Sequence, residues 1–309
     1  MQSFFVIGAF IALGVLARRF LTLPDRAPFW INRLIIFLVL PAVILRQLPR
    51  LELGTEVLLP VISPWLFFVF TLLAVRLFAA RLHWPREVQG ALLLLVPLAN
   101  TSYLGFPMTR AFFGEAGMPY AIVFDQVGNG LLLAIVAPVV LARFGAQGAD
   151  ASWRAIGRRL ITFPPFVALC VTLLFLRGVV YPDWLDTTLS LLGQAMAPLA
   201  MFIIGLQLSG RVARELRGPL AFALAMKLLV APVLALLLCL VAAPLFGAGT
   251  LAVRVTVFEA AMPTMVTAAI MGMAAGLAPR LCAAAVGLGL GLSLITLPLW
   301  FLLLRWLPL

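Results

Sequence analysis

Apolar residues fill long unbroken stretches of the chain, and polar residues gather in the short gaps between them. The run Ala91 to Ala99 is continuous, which fits a helix rather than the alternating strands of a membrane barrel. A membrane helix needs roughly 20 apolar residues. The pattern supplies ten such stretches, at about 3–21, 29–48, 57–80, 89–112, 118–142, 160–178, 187–208, 217–243, 252–275 and 280–305. No gap has room for a soluble domain. The pattern predicts an all-α integral membrane protein with ten transmembrane helices in one domain, 1–309. The first stretch, Ser3 to Ala17, is followed by Arg18 and Arg19 rather than preceded by them. That order marks a retained span and not a signal peptide.

Composition agrees: of 309 residues, 64% are apolar and 11% charged, too lopsided for a soluble fold. The net charge of +11 invites a nucleic-acid reading. The arginines are scattered among short loops and form no stripe with aromatics, so nucleic acid is excluded as a partner. They follow the positive-inside rule instead. Thirteen, from Arg18 and Arg26 to Arg211 and Arg280, fall in odd-numbered connections, against four (Arg46, Arg50, Arg110, Arg177) in even ones. Odd connections are therefore read as cytoplasmic and both termini as extracytoplasmic. Cys170, Cys239 and Cys282 lie far apart inside apolar runs, as packing residues do, and the lone His83 excludes a histidine metal site.

Prolines recur at a nearly constant offset. Pro24-Asp25 returns as Pro182-Asp183 after 158 residues, Pro41 as Pro198 after 157, and Pro64 as Pro219 after 155. Pro107 returns as Pro263 after 156, and Pro138 as Pro298 after 160. The chain reads as two repeats, 1–145 and 155–309, of five spans each. Five is odd, so the second repeat is inverted, the plan of many secondary transporters.

Spans four and nine carry the candidate chemistry. Asn100, Thr101 and Ser102 interrupt span four, with Gly105 and Pro107 just beyond. Span nine has Glu259 followed by Ala260, Ala261, Met262, Pro263 and Thr264. Proline removes a backbone donor and glycine tolerates a break. Such a break has to be buried or line a cavity. Half-helix N-termini meeting at the midplane offer N–H groups and positive dipole ends to a carboxylate. Asn100, Thr101, Ser102, Gly105, Pro107, Ala261, Met262, Pro263 and Thr264 form the candidate substrate site. Charged groups inside a span are costly and belong in the interior. Asp125 and Asn129 share a face of span five, with Gln126 beside them. Lys227, the chain's single lysine, lies deep in span eight. Asp125, Gln126, Asn129, Lys227 and Glu259 are the candidate ion-coupling or charge-pair residues, with Lys227 placed to pair with Glu259 or Asp125 or to attract an anionic substrate.

At these residues the chain resembles the auxin efflux carrier family, within the bile acid/sodium symporter superfamily. Asn100-Thr101-x-x-x-Gly105-x-Pro107 with Gly114 resembles its fourth-span crossover, and Ala260-Ala261-Met262-Pro263 its ninth. Ile31-Asn32-Arg33 leading to Pro41, Met201-Phe202-x-x-Gly205-Leu206, and Ala225-Met226-Lys227 through Pro232 resemble spans two, seven and eight. The resemblance implies two inverted five-helix repeats with broken, crossing helices 4 and 9. It also implies a scaffold of spans one, two, six and seven, a carboxylate held at the crossing, and elevator-like movement. The chain lacks the plant carriers' long central loop and has Glu259 where they usually have glutamine, so it is similar to the prokaryotic permeases. Those include transporters of malonate and other organic acids.

The expected function is secondary active transport of a small organic anion, a mono- or dicarboxylate, in a bacterial inner membrane. The rival is a sodium-coupled symporter of a larger amphipathic anion. No cofactor is expected beyond a coupling H⁺ or Na⁺. The expected partners are the anion and the lipid bilayer, with a homodimer left as an open state of assembly. A sensor lacks an output domain here, and an intramembrane protease lacks its Ser/His or paired-Asp site. The reading is a carrier and not an enzyme.

Overall fold

The computed structural model describes residues 2–20, 27–50, 54–145, 152–207 and 214–307. Pro24, Asp25, Arg26 and Arg211, used above for repeat and orientation, lie outside the described residues. In chain order the helices are α1 (Gln2–Phe20), α2 (Phe29–Gln47), α3 (Thr55–Leu82), α4 (Arg86–Leu95) and α5 (Phe106–Phe113). Then come α6 (Glu115–Phe144), α7 (Trp153–Ile161), α8 (Pro164–Phe175) and α9 (Asp183–Leu206). The last four are α10 (Arg217–Phe246), α11 (Thr250–Ala260), α12 (Val266–Ala274) and α13 (Pro279–Trp306). Among the described residues there is no strand beyond one isolated bridge, Ala99 with Thr264.

Six helices (α2, α3, α6, α9, α10 and α13) are long and apolar enough to cross a membrane by length and composition. Their outward faces are apolar: Leu73 on α3, Val241 and Leu245 on α10 and Leu299 on α13 are exposed. In water such a surface would aggregate; in lipid it is at home. One expected span starts late. The stretch read as 160–178 is helical as Pro164–Phe175. Phe163 is extended, and a proline opens the next helix, where its missing N–H costs nothing. The residues before it form the separate helix α7.

Prolines also shape the helices that stay intact. Stretches wound more widely than an α-helix occur at Ile35–Val39, Thr101–Gly105 and Met226–Val230, and each ends two residues before a proline: Pro41, Pro107 and Pro232. The wider turn makes room for a ring that would strike the carbonyl four residues back. Pro232 cannot donate to the Leu228 carbonyl. The Trp300 indole does so instead, at 3.0 Å. A fourth wide stretch, Phe124–Gly130, carries Asp125, Gln126 and Asn129.

Helices α1 and α9 pack along each other through glycine. A Cβ on Gly14 would stand 2.3 Å from the Phe202 carbonyl oxygen, and one on Gly205 would stand 2.2 Å from that of Ile11. Only glycine lets these backbones touch. The interrupted pairs α4–α5 and α11–α12 occupy the buried interior, where Ala91, Leu94, Val257 and Phe258 are fully enclosed.

Candidate functional site

Helix α4 ends at Leu95 and α11 at Ala260, and both chains then leave helical geometry. Asn100 has φ −82° and ψ 60°; Met265 is extended at φ −63° and ψ 125°. A buried break strands backbone donors and acceptors. These two breaks satisfy each other. The Asn100 N–H donates to the Pro263 carbonyl at 2.8 Å, and the Met265 N–H donates to the Leu98 carbonyl at 2.9 Å. Helix resumes at Thr101 on one side and Val266 on the other. Both resumed helices thus begin at the point of contact, and the Ser102 N–H at the start of the first is bonded to Asp125.

Side chains from α6 complete the frame. Asn129 treats Ala99 as a neighbouring strand would: its Oδ1 accepts from the Ala99 N–H at 3.4 Å, and its Nδ2 donates to the Ala99 carbonyl at 3.2 Å. The same Nδ2 donates to Thr101 Oγ1 at 3.0 Å, and that hydroxyl donates to Asp125. Asp125 also accepts from Ser102 Oγ at 2.6 Å and from Gln126 Nε2 at 2.6 Å. All the donors on this buried carboxylate come from the break and from its own helix, a connected network of the kind that fixes geometry.

A cavity of about 230 Å³ opens against this network. Its polar wall is Asn100, Thr101, Ser102, Tyr103, Asp125 and Gln126. Ile36, Leu40 and Leu133 supply apolar wall, and Leu160 and Phe163 close one side. Met265 and Thr267, at the start of α12, face it from the second break. Asn100 is 1% exposed, yet its Nδ2 has no hydrogen-bond partner. A buried amide nitrogen without a partner costs about 1–3 kcal/mol unless something else accepts from it.

The other predicted residues stand elsewhere. Pro263 and Thr264 form the second side of the backbone pairing, Ala261 and Met262 bond back to the end of α11, and none of the four lines the cavity. Gly105, Pro107 and Glu259 sit behind it. Glu259 is fully buried and accepts from Thr109 Oγ1 at 2.6 Å, while its Oε2 has no partner. A Cβ on Gly105 would lie 2.3 Å from that oxygen. Lys227 is buried with Nζ 5.3 Å from the centre of the Phe67 ring. It makes no direct salt bridge to Glu259 or Asp125, but its charge and that of Glu259 act on each other across the interior. The ammonium lies over the ring face while staying within electrostatic reach of Glu259.

Among the cavity residues that the sequence did not single out are Tyr103, whose hydroxyl donates to Asn32 Oδ1, and Leu160 and Phe163, which wall one side. Asn32 was visible in Ile31-Asn32-Arg33, but no spacing ties it to Tyr103, 71 residues on.

Comparison with known proteins gives the class. The chain belongs to the membrane transport protein family, whose model matches residues 1–301. This is the family of the auxin efflux carriers, to which the motifs of the two breaks pointed. An "Uncharacterized transporter" of Methanothermobacter thermautotrophicus is 28% identical over 299 residues, 94% of this chain and 93% of the relative. Another, from Methanocaldococcus jannaschii, is 25% identical and covers 97% of both chains. A protein of Rhizobium meliloti named "Putative malonate transporter" is 28% identical over 86% of this chain and 83% of its own length.

Proposed function

We propose that this membrane transport protein is a secondary active transporter of a small organic anion, a mono- or dicarboxylate, which binds at the two breaks. The observation that carries the reading is the buried, unpartnered Asn100 Nδ2 on a cavity where two helices begin. An anionic oxygen there would accept from the amide and meet the positive ends of both helix dipoles. Size favours a small anion: about 230 Å³ falls below the roughly 300–1,000 Å³ of sites for drug-sized ligands. The printed name of the Rhizobium relative makes malonate the first ligand to try. The apolar side of the cavity, with Leu133, Leu160 and Phe163, favours the second reading, sodium-coupled transport of a larger amphipathic anion.

In this proposal ten spans form two inverted repeats in a bacterial inner membrane, with both termini extracytoplasmic. Movement is elevator-like, and Glu259 or Asp125 couples transport to H⁺ or Na⁺. The protein then acts as a carrier and not as an enzyme. Purified protein in proteoliposomes should accumulate malonate under an imposed H⁺ or Na⁺ gradient. Uptake confined to bulky amphipathic anions would decide for the second reading, and no uptake of any anion under either gradient would defeat both. Reporter fusions at the C-terminus test the topology; a cytoplasmic C-terminus would break it.

A further inference from the structure

Helix α7 stands apart from the apolar helices around it. Its sequence, Trp153 to Ile161, holds three arginines and no acidic residue. Its start is capped, since Ser152 Oγ accepts from the Ala155 N–H at 3.3 Å. Arg154 and Arg158 are exposed and four residues apart, so they share one face. Its end is fixed by a tight corner: Thr162 Oγ1 donates to the Arg158 carbonyl at 2.8 Å, and the Phe163 N–H donates to the Leu160 carbonyl at 3.1 Å. Pro164 then opens α8, whose Val167, Val171 and Leu174 are exposed and apolar. A lipid-facing helix therefore begins immediately after α7, which puts the two arginines at the rim of the bilayer. Ile161, 70% exposed, lies at the same level. The corner residues Leu160 and Phe163 are also the wall that closes one side of the cavity.

We propose that α7 docks through Arg154 and Arg158 on anionic lipid headgroups, and that this contact holds Leu160 and Phe163 against the cavity. The occupant follows from charge and place: a basic helix without acids, continuous with a lipid-facing helix, meets phosphate groups at that depth. The consequence for substrate access rests on the carboxylate-site reading; the lipid contact does not. Each arginine near an anionic surface shifts the docked-to-free ratio about fivefold, so the pair shifts it about thirtyfold at low salt.

The test places cysteine at Ile161, and separately at Phe163, in the full chain. Reaction with a water-soluble maleimide is followed in vesicles of phosphatidylcholine alone and of phosphatidylcholine mixed with phosphatidylglycerol. The parent chain, which carries Cys170, Cys239 and Cys282, gives the background. Both positions should react several-fold more slowly in the anionic vesicles. High salt should narrow the gap, and Arg154→Gln with Arg158→Gln should abolish it. Equal rates in the two vesicles would overturn the proposal, as would a gap that survives the double substitution. Protection that appears only when a soluble protein fraction is added would overturn it too, and would assign the face to a protein. Neither readout depends on transport, so a failure of the transport reading would leave this result standing and distinguishable.

Discussion

Replacing Asn100 by alanine should push folding and binding in opposite directions. In the free protein its Nδ2 is buried without a partner. Removing it relieves a penalty of about 1–3 kcal/mol, against which the loss of a small side chain's packing is of similar size. The melting temperature of the substrate-free variant should therefore equal or exceed that of the parent. Binding should suffer, because a hydrogen bond to a charged group contributes about 1.5–3 kcal/mol, or roughly 10- to 150-fold in Kd. Thermal shift reads both effects. Malonate at about a hundred times the parent's Kd stabilises the parent by about 2.7 kcal/mol; a roughly hundredfold weaker variant gains only about 0.4 kcal/mol. Asn100→Asp, which presents only acceptors, should bind more weakly still. A lower melting temperature with an unchanged malonate shift would make Asn100 a structural brace and refute the argument.

Glu259→Gln should bind malonate as the parent does, since Glu259 lies off the cavity wall, but uptake should lose part of its dependence on pH or Na⁺. Identical dependence in both proteins would move the coupling role to Asp125. Gly105→Ala should lower the melting temperature modestly, because its Cβ would stand 2.3 Å from Glu259 Oε2 and the carboxylate, at the end of a flexible side chain, has to turn aside at about 1 kcal/mol. Adding Glu259→Ala should restore part of the loss, and a single variant as stable as the parent would deny the close approach. Trp300→Phe should cost about 1–3 kcal/mol, because it strips the Leu228 carbonyl of the donor that Pro232 cannot replace; an unchanged denaturation midpoint would contradict this.

The sequence disclosed features that depend on one segment at a time. Apolar runs mark where helix lies, and the prolines with Asn100 and Gly105 mark where two helices break, because both signals arise from the backbone's local needs. Residues four apart, such as Asp125 and Asn129, were legible as one face and do act together on the break. Contacts between segments were not legible. The face of α11 that carries Glu259 follows from its spacing to Pro263, but whether that face meets the cavity or Thr109 depends on how far α5 is rotated. Lys227 lies over Phe67, with Glu259 in electrostatic reach but not in direct contact, for the same reason: helical periodicity gives a direction and not a distance. Leu160 and Phe163 looked like the start of a span, and only the corner before Pro164 turns them toward the cavity.

The pairing of the two breaks is made by main-chain atoms, at Asn100 with Pro263 and at Met265 with Leu98. Main-chain atoms are common to every amino acid. Most side chains on this stretch can therefore be exchanged while the frame persists, provided the residues that permit the break remain. A lineage built on such a frame keeps its architecture while the side chains around it change. Homologues that share only about a quarter of their residues along their whole length are what such a division of labour allows.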